Sequence, residues 1–579
     1  MSLDEYQVGV DGPWGDSEAG HLYRRTGFGG TPEERAAAVG AGDQQSMRNA
    51  VDALVNFQAK DPWLDFSQGI TNPNFGDPIP DLPDEPANDD DLLGTVLSRI
   101  KNPTSDAAMQ GHWLYRMRHS TQPLQEQLTL FFHDHMVSEF DKVANRIPNV
   151  VNYGNDGSMP LLQLCTTGSL PPDENRSRKM AVDMALNQNY LFRESGADSF
   201  RDLLVNITRD PMMLIYLDNA LNVKDAPQEN YAREVMELFS MGVGNYTEFD
   251  IREIAKSLTG ETLIHWLRGF DEACANDFST ESGFLPEIHE PGDKFVFSQT
   301  VKEDFSGQET LDVIDLILNR ISVSPNADSF GPPYQDLPAT AVYMSWKLLR
   351  WFVNHDIQLH PTPDPIVLEL ADYMRGTDNG SYPQRRYPYD IRASLRKLFL
   401  SKTFYAPENF QSMHKTPVEY IITALRGLNS DDVYPILEGP PIFLLILGMR
   451  PFNPPNVAGW NHGQSWTSSG SLIARNFYAF RYVYEVLSSE TDYGKAILDS
   501  YLVANGGSIN GFDDHDGMVE FVNDRLMHNT MTAEETQTIS DALTDIAAMI
   551  PQQFAEAGYY LKIQAAIFIA MTMPRFQLK

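Results

Sequence analysis

The sequence predicts a mainly α fold, a large helical body with long irregular loops and at most a small β ribbon. Three observations predict it. Apolar residues recur at three-four spacing through 47–58, 123–137, 310–321, 340–354 and 532–550, the period of a helix with a buried face. Strand-like alternation is scarce, with FVFSQTV at 295–301 the best candidate and half of one small ribbon. No fixed-period repeat signals a solenoid. At 579 residues the chain exceeds the usual size of one hydrophobic core, so two lobes or one large body with appendages are expected.

In chain order, residues 1–20 read as an N-terminal extension, 21–500 as the helical core and 501–579 as a C-terminal helical segment packed on that core. The opening MSLDEYQVGVDGPWGD lacks the basic and apolar regions of a secretory leader, and compartment stays undecided. HLYRRTGFGGTPEE at 21–34 is a glycine turn into a helix with Thr31 as N-cap, Pro32 at N1 and Glu34 at N3, and Arg24 and Arg25 are expected to pair with the acidic hairpin at 225–260. Residues 61–91, rich in Pro, Asp and Asn, cannot make a regular element and read as a long surface loop. Residues 281–306 and 326–338 read as shorter connectors, and 505–516 separates the last segment. PPIFLLILGM at 440–449 is too short to span a bilayer, and no apolar run of eighteen residues occurs.

Charge and cysteine content narrow the partners. A net charge of -35, from 79 acidic against 44 basic residues, repels phosphate backbones, so nucleic acid is not an expected partner. Cys165 and Cys274 allow at most one disulfide and no Cys-based zinc site; Cys165, among apolar neighbours, reads as a core thiol. No GxSxG elbow, HExxH helix, Walker sequence or strand-linked GxGxxG is present.

The richest segment is DAPQENYAREVMELFSMGVGNYTEFDIREIAKSLTG at 225–260, an acidic helical hairpin turned by Gly242 and Gly244. Glu229, Arg233 and Glu237 are four apart, so the arginine can bridge both carboxylates. Thr247 and Asp250 read as cap and N3 partner of the second helix. Charges on a mostly buried helix must be paired, metal-bound or protonated. The stripe is therefore either an internal ion network or a site in which Glu234 and Glu237 face a metal or substrate and Arg233 sets their ionisation. In FFHDHMVSE, His133 and His135 would point the same way if the chain leaves its helix near His133, giving two imidazoles to one divalent metal: Zn, Fe, Mn or Ca. PFNPPNVAGWNHGQSW at 451–466 is a proline-fixed loop whose Trp460, Asn461, His462 and Trp466 suit either substrate stacking or folding back onto the core. HEPGDK adds His289, Glu290, Asp293 and Lys294 on a turn.

Taken together, the 21–34, 128–139, 225–260, 289–294 and 451–466 motifs resemble the bacterial "domain of unknown function 1800" family, from His21 to the terminal MPRFQLK. Two positions depart from the family's usual residues: Glu261 and Phe132 stand where tryptophan is common. The resemblance implies no activity. It implies as a partner a protein of the "domain of unknown function 1501" family, similar to alkaline phosphatases and sulfatases, and it implies export for many members. Two function classes stand: a metal- or carboxylate-dependent, hydrolase-like enzyme acting on an extended glycan or peptide, and a non-catalytic scaffold or partner protein.

Overall fold

The computed structural model describes residues 2–57, 106–153, 174–263, 282–322, 336–376, 388–429, 440–487, 515–550 and 555–579. The expected loop at 61–91, Cys165, Cys274 and most of the 326–338 and 505–516 connectors lie outside the described residues. The fold is mainly α. Helices α1 (Asp16–Thr26), α2 (Pro32–Val39) and α3 (Gln44–Val55) open the chain, followed by α4 (Asp106–His119), α5 (Pro123–His135), α6 (Phe140–Tyr153), α7 (Glu174–Ser195), α8 (Phe200–Thr208) and α9 (Pro211–Tyr216). The acidic hairpin is α10 (Glu229–Glu237) and α11 (Glu248–Ser257). Then come α12 (Gln308–Asn319), α13 (Ala339–Phe352), α14 (Pro365–Arg375) and α15 (Ile391–Phe399). The chain closes with α16 (Pro417–Gly427), α17 (Pro440–Ile446), α18 (Ser469–Arg481), α19 (His515–Met527), α20 (Ala533–Met549) and α21 (Ala555–Thr572).

Local chemistry explains the starts. The Thr31–Glu34, Thr247–Asp250, Thr416–Glu419 and Thr532–Glu535 pairs close reciprocal caps, each hydroxyl taking the N3 amide and each carboxylate the cap amide. Proline at the first turn of α2, α5, α9, α14 and α16 removes an amide that has no helical partner there.

Where a connector was expected, the 281–306 stretch holds three short strands, which together with 261–263 make two antiparallel ribbons. Strands β1 (Glu261–Leu263) and β2 (Ser282–Phe284) pair with Glu261 opposite Phe284. Strands β3 (Lys294–Val296) and β4 (Gln299–Val301) pair with Lys294 opposite Val301, so FVFSQTV supplies most of both strands of a hairpin rather than one. Its turn residues Phe297 and Ser298 both have positive φ, as a two-residue hairpin turn requires.

One continuous apolar core runs from Leu3 to Phe576 and draws on every part of the described chain. Helix α5 lies inside it, with every residue from Pro123 to His135 buried. Two of its polar side chains tie it to its neighbours. Glu126 takes a two-pronged bond from Arg193 of α7, at 2.7 and 2.8 Å, and a third from Trp113 Nε1 at 3.0 Å. Gln127 Nε2 donates to Glu419 of α16 at 3.2 Å. A buried helix held this way has a fixed rotation, so the residues at its C-terminal end are aimed reproducibly. Among the described residues, no helix is long and apolar enough to cross a membrane.

Candidate functional site

The FFHDH segment is the last turn of α5, helical through His135, and not an extended exit beginning near His133. On a helix, residues two apart diverge, and the two rings meet different walls. His133 Nε2 accepts from the Phe452 amide at 3.0 Å, and its ring lies among Trp113, Phe452 and Trp460. His135 Nε2–H donates to the Phe239 carbonyl at 2.9 Å, and its ring stacks on Phe131 and faces Tyr343. Burial holds His133 down to about 4 and His135 down to about 3, so both are neutral. The His133 Nε2 lone pair is thus occupied, while His135 keeps a buried Nδ1 without a hydrogen-bond partner. Among the described residues, no group of three or more His, Cys, Asp or Glu side chains is disposed to hold a metal ion.

Between the two histidines stands Asp134, the residue that organises the site. Its Oδ1 accepts from the Trp460 amide at 2.7 Å and its Oδ2 meets His462 Nε2 at 3.0 Å. The 451–466 loop therefore docks on the end of α5 through two backbone amides and one imidazole. Gly459 permits it: φ is +85°, and a Cβ there would sit 2.4 Å from Asp134 Oδ1 and 2.5 Å from its carbonyl oxygen. The same loop caps α6, with Asn453 Oδ1 accepting from the Asp141 amide at 3.1 Å and Arg450 bonded to Asp141 at 2.8 Å. His462 stays 30% exposed while Asp134 is 8% exposed. Trp351 stands edge-on to the His462 ring and His355 lies parallel to it, at 5.7 and 5.9 Å between centroids. Burial, helped by the charge of Lys579, depresses His355 to about 2. Burial lowers the Lys347 ammonium too, against the opposing pull of Asp134.

Of the four loop residues expected at a substrate, Trp460 and Trp466 are buried parts of the core, whereas Asn461 is exposed and His462 half-buried.

The acidic hairpin meets α5 through the His135–Phe239 bond, and the carboxylates of α10 are only half-buried, whereas Asp250 and Glu253 of α11 are buried. Tyr231, Ala232, Val235 and Met236 are buried; Glu229, Arg233, Glu234 and Glu237 are half-buried. Arg233 bonds Glu229 at 3.5 Å and Glu248 at 2.8 Å rather than Glu237, because α11 folds Glu248 back beside it while Glu237 accepts from Tyr246 Oη at 2.6 Å. Burial and the neighbouring Glu237 charge raise the Glu234 carboxyl, with Arg233 and Lys142 opposing. Burial also raises Glu139 and lowers Lys142, whose ammonium sits 4.2 Å over the Tyr216 ring. Asn230, on the same line of α10, donates to Asp218, which binds Arg146 of α6.

Other nominated motifs are structural. His289 and Lys294 of HEPGDK both contact the buried Glu309 of α12 at 3.0 Å. Glu261 is buried and matched by Arg209 at 2.9 Å and by Thr310 at 2.8 Å. Phe132 stacks on Phe192 over Gly196. Arg24 and Arg25 do not reach the acidic hairpin; they turn to His528, and to Asn409 and Ser412.

The fold and the site define a class: a mainly α protein organised on a buried central helix, whose end pairs an aspartate with a half-exposed histidine from a distant loop. The chain belongs to the family described as "Protein of unknown function (DUF1800)", whose model matches residues 21–156 and 174–578. Comparison with curated proteins and with solved structures finds no match.

Proposed function

We propose that the protein is a hydrolase-like enzyme whose proton-transfer pair is Asp134 and His462, acting on an extended substrate such as a glycan or peptide laid across the outer side of the 451–466 loop. The observation that carries this reading is the 3.0 Å contact of Asp134 Oδ2 with a half-exposed His462 Nε2. Asp134, fixed by the Trp460 amide, holds the ring in the tautomer with its proton on Nε2. Nδ1 then carries the lone pair and can take a proton from water or a substrate hydroxyl, while the carboxylate stabilises the imidazolium that forms. The proton returns to the leaving group from the same nitrogen. Glu234 and Glu237 are the second acid–base resource of this reading, and a divalent ion (Zn, Fe, Mn or Ca) would act through them.

Purified protein assayed on panels of chromogenic glycosides and fluorogenic peptides, with and without EDTA, tests it. His462→Gln and Asp134→Asn should each lower turnover by about 10²- to 10⁴-fold while circular dichroism is unchanged. Turnover that survives His462→Gln sinks the dyad, and turnover lost to EDTA but not to His462→Gln moves the chemistry to the carboxylates.

A second reading, a non-catalytic partner protein in complex with a phosphatase- or sulfatase-like protein of the "domain of unknown function 1501" family, draws support from apolar side chains left at the surface. Ile442, Leu445 and Ile446 of α17 and Ile473, Phe477 and Phe480 of α18 are all exposed. Ile473→Asp with Phe477→Asp should abolish such a complex without changing the melting temperature; an intact complex discards this reading.

A further inference from the structure

The HLYRR motif folds into a buried cluster of like charge, whose Arg25 acts electrostatically on His355 beside His462. Arg24 and Arg25 end α1 with 4% and 0% exposure. Arg24 Nη1 donates to His528 Nδ1 at 3.0 Å, but its Nε and Nη2 have no hydrogen-bond partner. Arg25 Nη2 donates to the Asn409 carbonyl and to Ser412 Oγ, leaving Nε and Nη1 without partners. Lys415, also buried, holds its ammonium 3.9 Å over the Phe576 ring. Arg475, fully buried, donates to Gln577 at 3.0 Å and to the Lys415 carbonyl at 2.7 Å, with its Nε unmatched.

Counter-charge is scarce. The buried carboxylate here is Glu419, and it is engaged by Lys579, by Gln127 and by the Thr416 amide. Arg35 pairs instead with Asp16 and Asp524. Among the described residues, Arg24, Arg25, Lys415 and Arg475 form no ion pair, although the chain carries a net charge of -35. Burial pushes Arg24 and Arg25 down to about 9, with repulsion from Arg35 and Arg575 adding to it at Arg24 and from Arg24 at Arg25, and Lys415 is depressed by burial and by Arg24, Arg475 and Lys579.

Uncompensated buried cations are strongly unfavourable. The unmatched atoms of Arg24, Nε and Nη2, form the guanidinium edge that takes two oxygens of one oxyanion, and Arg25 adds further donors. We propose that this cluster is a buried binding site for a small oxyanion of the phosphate or sulfate class, gripped by Arg24 and Arg25 with Lys415 as the nearby point charge. The anion is then part of the folded core, joining α1 to the Lys415 and Arg475 segments, and is independent of chemistry at Asp134 and His462.

The test uses the full chain. Protein purified in chloride buffer is denatured and the released anions are quantified by ion chromatography. Melting temperature is then followed with sodium phosphate, sodium sulfate or sodium chloride at matched ionic strength, for wild type and Arg24→Met. The expected result is about one phosphate or sulfate released per chain, or a rise in melting temperature with one of them that chloride does not reproduce. Arg24→Met should melt lower and lose that response. Which salt acts identifies the anion, and a sulfate rise equal in wild type and variant is general salting-out, which counts against the site. The opposite sign overturns the proposal: with no bound anion, replacing an unpaired buried guanidinium by methionine leaves the protein as stable or more stable. Should Arg24→Met fail to fold, Lys415→Met carries the same two opposed outcomes.

Discussion

Single residues decide whether the site exists. Gly459 is the clearest case, since a methyl group there would overlap both the carboxylate and the carbonyl of Asp134. Gly459→Ala should cost roughly 1–3 kcal/mol, more than the usual positive-φ penalty, because a buried contact is lost with the turn. Thermal melting measures the cost, and loss of the Asp134–His462 contact should appear as a moved His462 ring resonance by NMR. An unchanged melting point would mean that the loop docks without that approach. Glu237 and Glu248 make a second comparison. Glu237 accepts a 2.6 Å bond from Tyr246 on a half-buried face, whereas Glu248 is 67% exposed beside Arg233. Glu237→Ala should lower stability by about 1–2 kcal/mol, and Glu248→Ala should leave the melting point where it is; equal shifts would place both on the same open surface. Residue type and spacing alone brought His133, His135 and His462 into view. Asp134 was equally visible as a lone charge in an apolar run, but the Trp460 amide it accepts from lies 326 residues away in the chain, and a single sequence contains no sign of that pairing. Lys347 and His355 were hidden differently, in or beside a helix whose apolar period accounts for its pattern without them.

Elements were more legible than sites because caps and period are local. The capped starts at Thr31 and Thr247 and the helices read from 123–137, 310–321, 340–354 and 532–550 all lie close to their observed bounds. The ribbons at 261–284 and 294–301 were harder to see: three-residue strands give too few alternations to show a period, and Lys294 at the head of β3 looks like a solvent residue. It is instead 1% exposed and bound to Glu309. That pair fixes the β3–β4 hairpin to α12, while Glu253 and Asp250 of α11 take the Phe295 and Phe297 amides at 2.9 Å. Glu309→Gln leaves a buried ammonium uncompensated and should cost about 3–5 kcal/mol. The double change Lys294→Met with Glu309→Leu should recover most of it, and chemical denaturation of the three variants is the check. If the single variant is as stable as wild type, the hairpin is not anchored by this pair.

Over the whole molecule the buried histidines set a pH dependence. His133 and His135 are held down to about 4 and about 3, and burial pushes His21, His119 and His528 well below the ordinary value. Unfolded, these rings bind protons below about pH 6.5; folded, they do so only at much lower pH. The unfolded state thus holds more protons, and stability falls as pH drops from about 6.5 toward 4, by about 1.4 kcal/mol per pH unit for each ring. Asp210, whose carboxyl burial raises to about 7, acts in the opposite sense across that window. Glu139 and Glu234, also raised, act with it, but His355, held down to about 2, joins the other five rings on the opposing side. Urea midpoints should therefore decline steadily from pH 7 to pH 5, where ordinary carboxylates are still ionised; a flat profile over that range would mean the rings take up protons without unfolding. Finally, the contacts that close the core bear on the order of events during synthesis. Arg24 bonds to His528, 504 residues further along, so α1 emerges from the ribosome long before its own surroundings exist. At about 5–20 residues per second, that helix waits roughly half a minute to nearly two minutes with two arginines and an apolar face unsheltered. A nascent chain of this design needs a holding factor at its N-terminal segment, or stays loosely collapsed until the C-terminal helices are made.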